Sequence, residues 1–170
     1  MRKKYLIDSN SLITPYERYY PFDIVVSFWT QLKHYIENGS IVVLDMVKSE
    51  IMKKSDDLSC WLDSINISEY VDHRNPEIIC LYQSVLENIK NDACYKDVAL
   101  SDWSAIDSAD PWLIATAAVK DYKIVSFETH NANLNPSNPS KRAKIPDIAD
   151  QFTVEVIDLF TMMRELGFSF

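Results

Sequence analysis

Apolar residues along this chain occur in two alternating forms, short unbroken runs and longer stretches spaced at three and four. Tyr5, Leu6 and Ile7 form an unbroken run that stops at Asp8-Ser9-Asn10, three turn-favouring residues, so a first strand is expected with an acid at its carboxyl end. Phe22, Val25, Trp29, Leu32 and Ile36 recur at spacings of three and four, and Gly39 follows where a cap belongs, which predicts an amphipathic helix. Residues 41–44 are aliphatic throughout and predict a buried strand that ends at Asp45, ahead of a helical stretch carrying Glu50. Leu58, Trp61, Leu62 and Ile65, then Ile78, Tyr82, Val85 and Ile89, mark two further helical faces, so the middle reads as all helix. Asp110-Pro111 opens another helix, and residues 112–119 are apolar nearly all round except for Thr116, which places that helix inside the protein.

A third buried strand is expected over residues 124–127, ending near Glu128. Residues 129–147 hold three prolines, four asparagines and the cluster Lys141, Arg142 and Lys144, and read as a long loop. A strand resumes at residues 154–157 and a helix at Leu159, Phe160 and Met163. Strands alternating with helices predict an α/β fold, a mainly parallel sheet of four to five strands with helices on both faces. At 170 residues, one domain over 1–170 is expected, and no internal repeat is found.

Composition removes several function classes. Gly39 and Gly167 are the only glycines, too few and too far apart for a P-loop or a dinucleotide-binding turn. Seventeen basic and 25 acidic residues give a net charge of −8, so polyanion contacts must be local and not spread over a broad basic face. Cys60, Cys80 and Cys94 fit neither a disulfide framework nor a zinc ribbon, and are expected to be buried thiols of a reducing cytosol. Met1 to Lys4 is basic, but the apolar run behind it ends at Asp8, so no signal-peptide core or membrane span is expected and the protein reads as cytoplasmic.

In open parallel sheets, functional groups gather at the carboxyl ends of the strands. Asp8, Glu50, Asp110 and Glu128 all sit at or just beyond such ends in the predicted order. Each also has a plainer reading. Asp8 could form a turn with Ser9 and Asn10, Glu50 could pair with Lys53 or Lys54 at helical spacing, and Asp110 before Pro111 is a good N-cap. Glu128 in a loop means little alone.

Taken in order, these acids resemble the PIN-domain ribonucleases. The likeness rests on the apolar strand running into Asp8-Ser9-Asn10, on Val47-x-x-Glu50, on Asp110-Pro-Trp-Leu-Ile-Ala-Thr-Ala117, and on Ile124-Val-Ser-Phe-Glu128. Residues 55–100 match only as helices. The length, the run beginning at Asp110, and Lys144-Ile145-Pro146-Asp147 before a final strand and helix are similar to PIN-like toxins of bacterial toxin-antitoxin modules. One departure stands out: Ser126 and Glu128 occupy positions more often held by Thr and Asp, and glutamate is one methylene longer.

The resemblance implies a metal-dependent endoribonuclease, with Asp8 and Asp110 binding the metal centrally. Glu50 and Glu128 would complete the cluster, Asn10 and Ser126 would orient neighbours, and Asp107 would be a weaker fifth acid. The chemistry agrees, since carboxylates forced together repel one another and a hard cation with oxygen ligands, Mg2+ or Mn2+, removes that cost. RNA contact would run through Lys53 and Lys54 beside Glu50, and through Lys141, Arg142 and Lys144; a solvated loop is the alternative for the last three. The implied partner is a cognate antitoxin protein. The oligomeric state is left open, a homodimer included.

A haloacid-dehalogenase phosphatase also opens with a strand ending in Asp, but needs a second acid where this chain has Asn10. His34, His73 and His130 form no paired motif and read as structural or surface residues. The remaining alternative is a catalytically inactive PIN-like module that binds protein or RNA.

Overall fold

The structure is a computed structural model that describes residues 4–67 and 70–170. The basic start of the chain, residues 1–3, lies outside the described residues. Five strands form the sheet: β1 (Tyr5–Ile7), β2 (Ile41–Leu44), β3 (Tyr70–Val71), β4 (Lys123–Val125) and β5 (Val156–Ile157). Their spatial order is β3-β2-β1-β4-β5 and every pairing is parallel, with Leu6 of β1 opposite Val42 on one side and Ile124 on the other. β1 and β2 are wholly buried, as strands covered on both faces must be, and this is why they read as unbroken apolar runs.

Around the sheet lie α1 (Asn10–Thr14), continued by a π-helical turn over Pro15–Tyr19, then α2 (Val26–Glu37), α3 (Asp45–Met52) and α4 (Asp57–Asp63). They are followed by α5 (Pro76–Asn91), α6 (Asp97–Trp103), α7 (Asp110–Lys120), α8 (Ile145–Gln151) and α9 (Leu159–Leu166). The chain builds outward from β1 through β2 to β3, then crosses back to β4 and β5. Right-handed crossovers in these two opposite directions put helices on both faces and leave a crevice between the carboxyl ends of β1 and β4, where the direction reverses. The expected α/β architecture is therefore the observed one.

Side-chain caps account for three of the helix starts. Asp56 and Ser59 make a reciprocal capping box at the start of α4, Asn75 accepts from the Glu77 N–H ahead of Pro76 in α5, and Asp158 accepts from the Thr161 N–H in α9. Gly167 closes α9 in the left-handed region at φ 77°. The core runs from Leu6, Ile7 and Val42 out to Phe28, Leu32 and Ile114, and an aromatic cluster joins Phe22, Trp29 and Trp61, with Phe22 stacked on Trp29 at 4.2 Å. Tyr82 of α5 stacks on Trp112 of α7 at 3.7 Å, so the two helices meet ring on ring.

Several expectations are corrected. Phe22 and Val25 precede α2, which starts at Val26. The middle is not all helix, because β3 intervenes; its two residues are too few to show alternation, and Tyr70 is half exposed. α6 also lies in that region. The loop ends at Lys144, where α8 begins; the Lys144-Ile145-Pro146 stretch marks a helix start, with Pro146 in the first turn, where its missing N–H costs nothing. Thr116 does not break the buried face of α7 but is buried with it, its hydroxyl without a hydrogen-bond partner. The cysteines are not buried: Cys60 and Cys80 are exposed and Cys94 is half-buried, since they fall on the outward faces of α4 and α5 and in a loop. Among the described residues, no helix is long and apolar enough to cross a membrane.

Candidate active site

The crevice between β1 and β4 is built from strand ends. Asp8, the residue after β1, is only 2% exposed, and its backbone N–H donates to the Val125 carbonyl at 3.0 Å. Ser126, the residue after β4, donates its hydroxyl to Asp8 Oδ2 at 3.0 Å, while Ser9 reaches Oδ1 at 3.4 Å. Ser11 donates to the Val125 carbonyl at 3.0 Å, which pins α1 to β4. Asp8 does open a turn, its carbonyl accepting from the Ser11 N–H at 3.0 Å, and its carboxylate is held as well by the two serines. Burial is the main cause that pushes its carboxyl up to about 6; the charges of Glu128 and Glu50 add to the rise, and the Ser126 hydrogen bond opposes it.

Asp110 is the first residue of α7 and is half-buried. The cap position is Ala109, so the N-cap reading of Asp110 does not hold. Burial pushes its carboxyl up to about 7, and the charges of Asp8, Glu128 and Glu50 raise it further, in that order. Glu50 and Glu128 thus act on both Asp8 and Asp110, although among the described residues no three of the four acids bring carboxylate oxygens within 4.8 Å of one another. Among the described residues none of the four forms an ion pair. The pairing of Glu50 with Lys53 or Lys54 is not formed either: Lys53 bonds Asp107 at 2.9 Å and Lys54 bonds Glu17 at 3.3 Å. Asp107 is consequently an exposed ion-pair partner, held below the usual carboxylate range by Lys53, and is not drawn into the acid group.

Glu128 has a role that its sequence position did not signal. One of its carboxylate oxygens accepts from the Ile145 N–H at 2.7 Å, the first N–H of α8, and its own N–H donates to the Ser126 hydroxyl at 3.2 Å. The extra methylene that separates it from aspartate lets it reach across to α8. Two clefts flank the acids. One of 390 Å³ is lined by Asn10, Tyr16, Glu50, Lys53 and Lys54, and one of 310 Å³ by Asp110, Glu128 and Arg142. Asn10 is exposed in the first; Lys141, exposed, and Lys144, half-buried, do not line the second but flank in sequence the Arg142-Ala143 pair that does.

A further group on the same edge of the sheet was not anticipated. Asp45 after β2 and Asp72 and His73 after β3 bring possible ligand atoms within 4.8 Å of one another. The His73 ring bonds Asp45 at 2.5 Å and packs against Trp112, and the Arg74 guanidinium holds Asp72 down to about 2. Asp45 could have been found by the signal that found Asp8, an acid directly after a buried strand. Both its acids already have partners, which makes it a clamp between β2 and β3 as well as a possible cation site.

The sequence matches the model of a domain of unknown function, DUF4411, over residues 5–170. Comparison with curated proteins finds no match. Among solved structures, VapBC2 from Rickettsia felis, bound to a DNA fragment from their promoter, is similar with a TM-score of 0.52 at 11% identity, covering 91% of this chain and 97% of that one. At that identity the likeness speaks for the fold, and the fold is PIN-like.

Proposed function

This chain belongs to the DUF4411 family, and we propose that it is a metal-dependent endoribonuclease working through Asp8, Glu50, Asp110 and Glu128. The observation that carries the reading is the buried Asp8 carboxyl and the half-buried Asp110 carboxyl it repels, at the crevice where the sheet reverses direction, with the charges of Glu50 and Glu128 acting on both and no ion pair to neutralise any of them among the described residues. An oxygen-only donor set of this kind fits a hard divalent cation, Mg2+ or Mn2+. Such an ion, when bound, supplies Lewis-acid charge to a phosphate and lowers the pKa of water.

The chain's own residues supply position. Ser126 and Ser9 hold the Asp8 carboxylate in one orientation, and Asp110 is presented by the rigid start of α7. Glu128 spends one oxygen on α8 and keeps the other for the site. Arg142 beside Asp110 and Glu128 is placed to meet a phosphate from one side, and Lys53 and Lys54 beside Glu50 from the other, once each lysine exchanges its carboxylate partner. The proposed substrate is RNA. A cognate antitoxin partner is part of the same reading, supported by the PIN-like fold shared with VapBC2.

The test is cleavage of an unstructured RNA by purified protein, with Mn2+ or Mg2+ and with chelator. Internal cuts that need the metal, leave 5′-phosphate and 3′-hydroxyl ends because water is the attacking group, and vanish in Asp110→Asn are the expected result. Products ending in a 2′,3′-cyclic phosphate, or cutting undiminished by chelator, would overturn it.

A further inference from the structure

A third cleft opens from Glu128, away from the other three acids, in a direction that neither RNA phosphates nor a cation explains. It measures 630 Å³, runs along the carboxyl ends of β4 and β5, and shares Ser126 and Glu128 with the crevice. Its apolar surface includes Phe127, the residue between those two, and Phe160 near the start of α9, 38% exposed. The two rings stand 6.3 Å apart and nearly perpendicular, and Tyr19, 51% exposed, adjoins Phe127 at 6.4 Å. The walls carry Glu128, Asp150, Glu155 and Asp158; Lys123 pairs with Glu155 at 3.0 Å, Asp158 accepts from the Thr161 N–H at 2.6 Å, and His130, the basic side chain of the lining, meets Asp147 at 2.9 Å and Asp150 at 3.8 Å.

This combination selects its occupant. A wall with more carboxylates than cations repels a phosphate, whereas a flat, uncharged ring bearing N–H groups gains from the aromatic face and donates to the carboxylate oxygens left open. Continuity with Glu128 puts that ring next to the bond the acids would cut. We propose that this cleft is a nucleobase subsite, in which the base adjoining the scissile phosphate lies on the exposed face of Phe160 while the sugar-phosphate backbone turns toward Arg142. The proposal rests on the ribonuclease reading and adds to it a site for one base. A base locked in a duplex cannot enter, so cleavage requires that nucleotide to be unstacked.

The probe is a mixed-sequence 12-mer RNA with a mapped cut, compared with the same RNA made abasic at the nucleotide on either side of it. With wild type, removing one of those two bases raises KM about tenfold, the size of one base-aromatic stack, and removing the other changes it little. In Phe160→Leu, which keeps the packing of the buried edge and loses the ring, intact RNA already shows the raised KM and the abasic penalty falls below twofold. Phe160→Trp restores both and serves alone if Phe160→Leu does not fold. If abasic and Phe160→Leu penalties multiply as independent effects, or Phe160→Trp leaves the KM for intact RNA raised, the subsite is wrong while the nuclease stands. If wild type cuts no RNA with either metal, the nuclease reading fails and the subsite falls with it.

Discussion

Asp110 stands at the first position of a helix with no donor among the described residues, and Asp8, one crevice wall away, has two hydroxyls. This difference is visible in their carboxyls, pushed up to about 7 and about 6 from an ordinary 3.8, in both cases by burial first and by neighbouring acids second. The consequence for stability has a definite sign. Between pH 4 and 7 the folded, metal-free protein binds more protons than the unfolded chain, so stability falls as pH rises through that window. Asp72, Asp107 and Glu165, the last of which accepts from the Tyr5 hydroxyl and pairs with Lys123, work in the opposite direction, but their pKa values are lowered, and what they contribute is complete by about pH 5. Thermal melts in chelator should therefore give a higher Tm at pH 5 than at pH 7.5, and Asp110→Asn should flatten the slope. At pH 7.5 that variant should melt a few degrees above wild type, for a gain on the order of 1 kcal/mol. An unchanged slope would mean that Asp110 is not under the strain argued here. Glu128 makes a separate prediction: Glu128→Gln keeps an acceptor for the Ile145 N–H, while Glu128→Ala loses it and should cost about 1 kcal/mol more in chemical denaturation.

At the scale of elements, the sequence was most legible where burial is two-sided. β1 and β2 are wholly buried and α7 buries Pro111 and residues 113–117, so their apolar runs are hard to mistake for anything exposed, and the acids that follow or open them could be named from pattern alone. Legibility failed for short elements. β3 has two residues and is placed by pairing with β2, α8 has seven and starts where Glu128 takes its first N–H, and the seven residues of α6 are too few to show a periodicity. The ion pairs of Lys53 and Lys54 were equally hidden, since Asp107 and Glu17 lie far away in sequence. α7 offers a test of its own interior. Thr116 is fully buried with an unpartnered hydroxyl, and such a group costs about 1–3 kcal/mol in lost hydration. Thr116→Val, equal in shape, should raise the Tm; a lower Tm would show that the hydroxyl has a partner in solution.

The whole molecule carries −8 charges, and the described cations near the crevice are few, so RNA affinity should depend weakly on salt compared with a broad basic surface. Arg142→Ala should lower the slope of log K against log salt by about 0.7, the value of one phosphate contact on a single strand, with no change in Tm. Two groups of acids share the carboxyl edge of the sheet, Asp8 with Asp110, Glu50 and Glu128, and Asp45 with Asp72 and His73. Which of them holds the metal decides the account. The direct measurement is the shift in Tm on adding Mn2+ to chelator-treated protein, for wild type, Asp8→Asn, Asp110→Asn and Asp45→Asn. At a hundredfold excess over Kd, wild type should gain about 2.7 kcal/mol. Asp8→Asn and Asp110→Asn should lose most of that gain, and Asp45→Asn, whatever its starting Tm, should keep it. A shift that survives in Asp8→Asn and Asp110→Asn but disappears in Asp45→Asn would move the metal to the β2–β3 clamp and contradict the proposed active site.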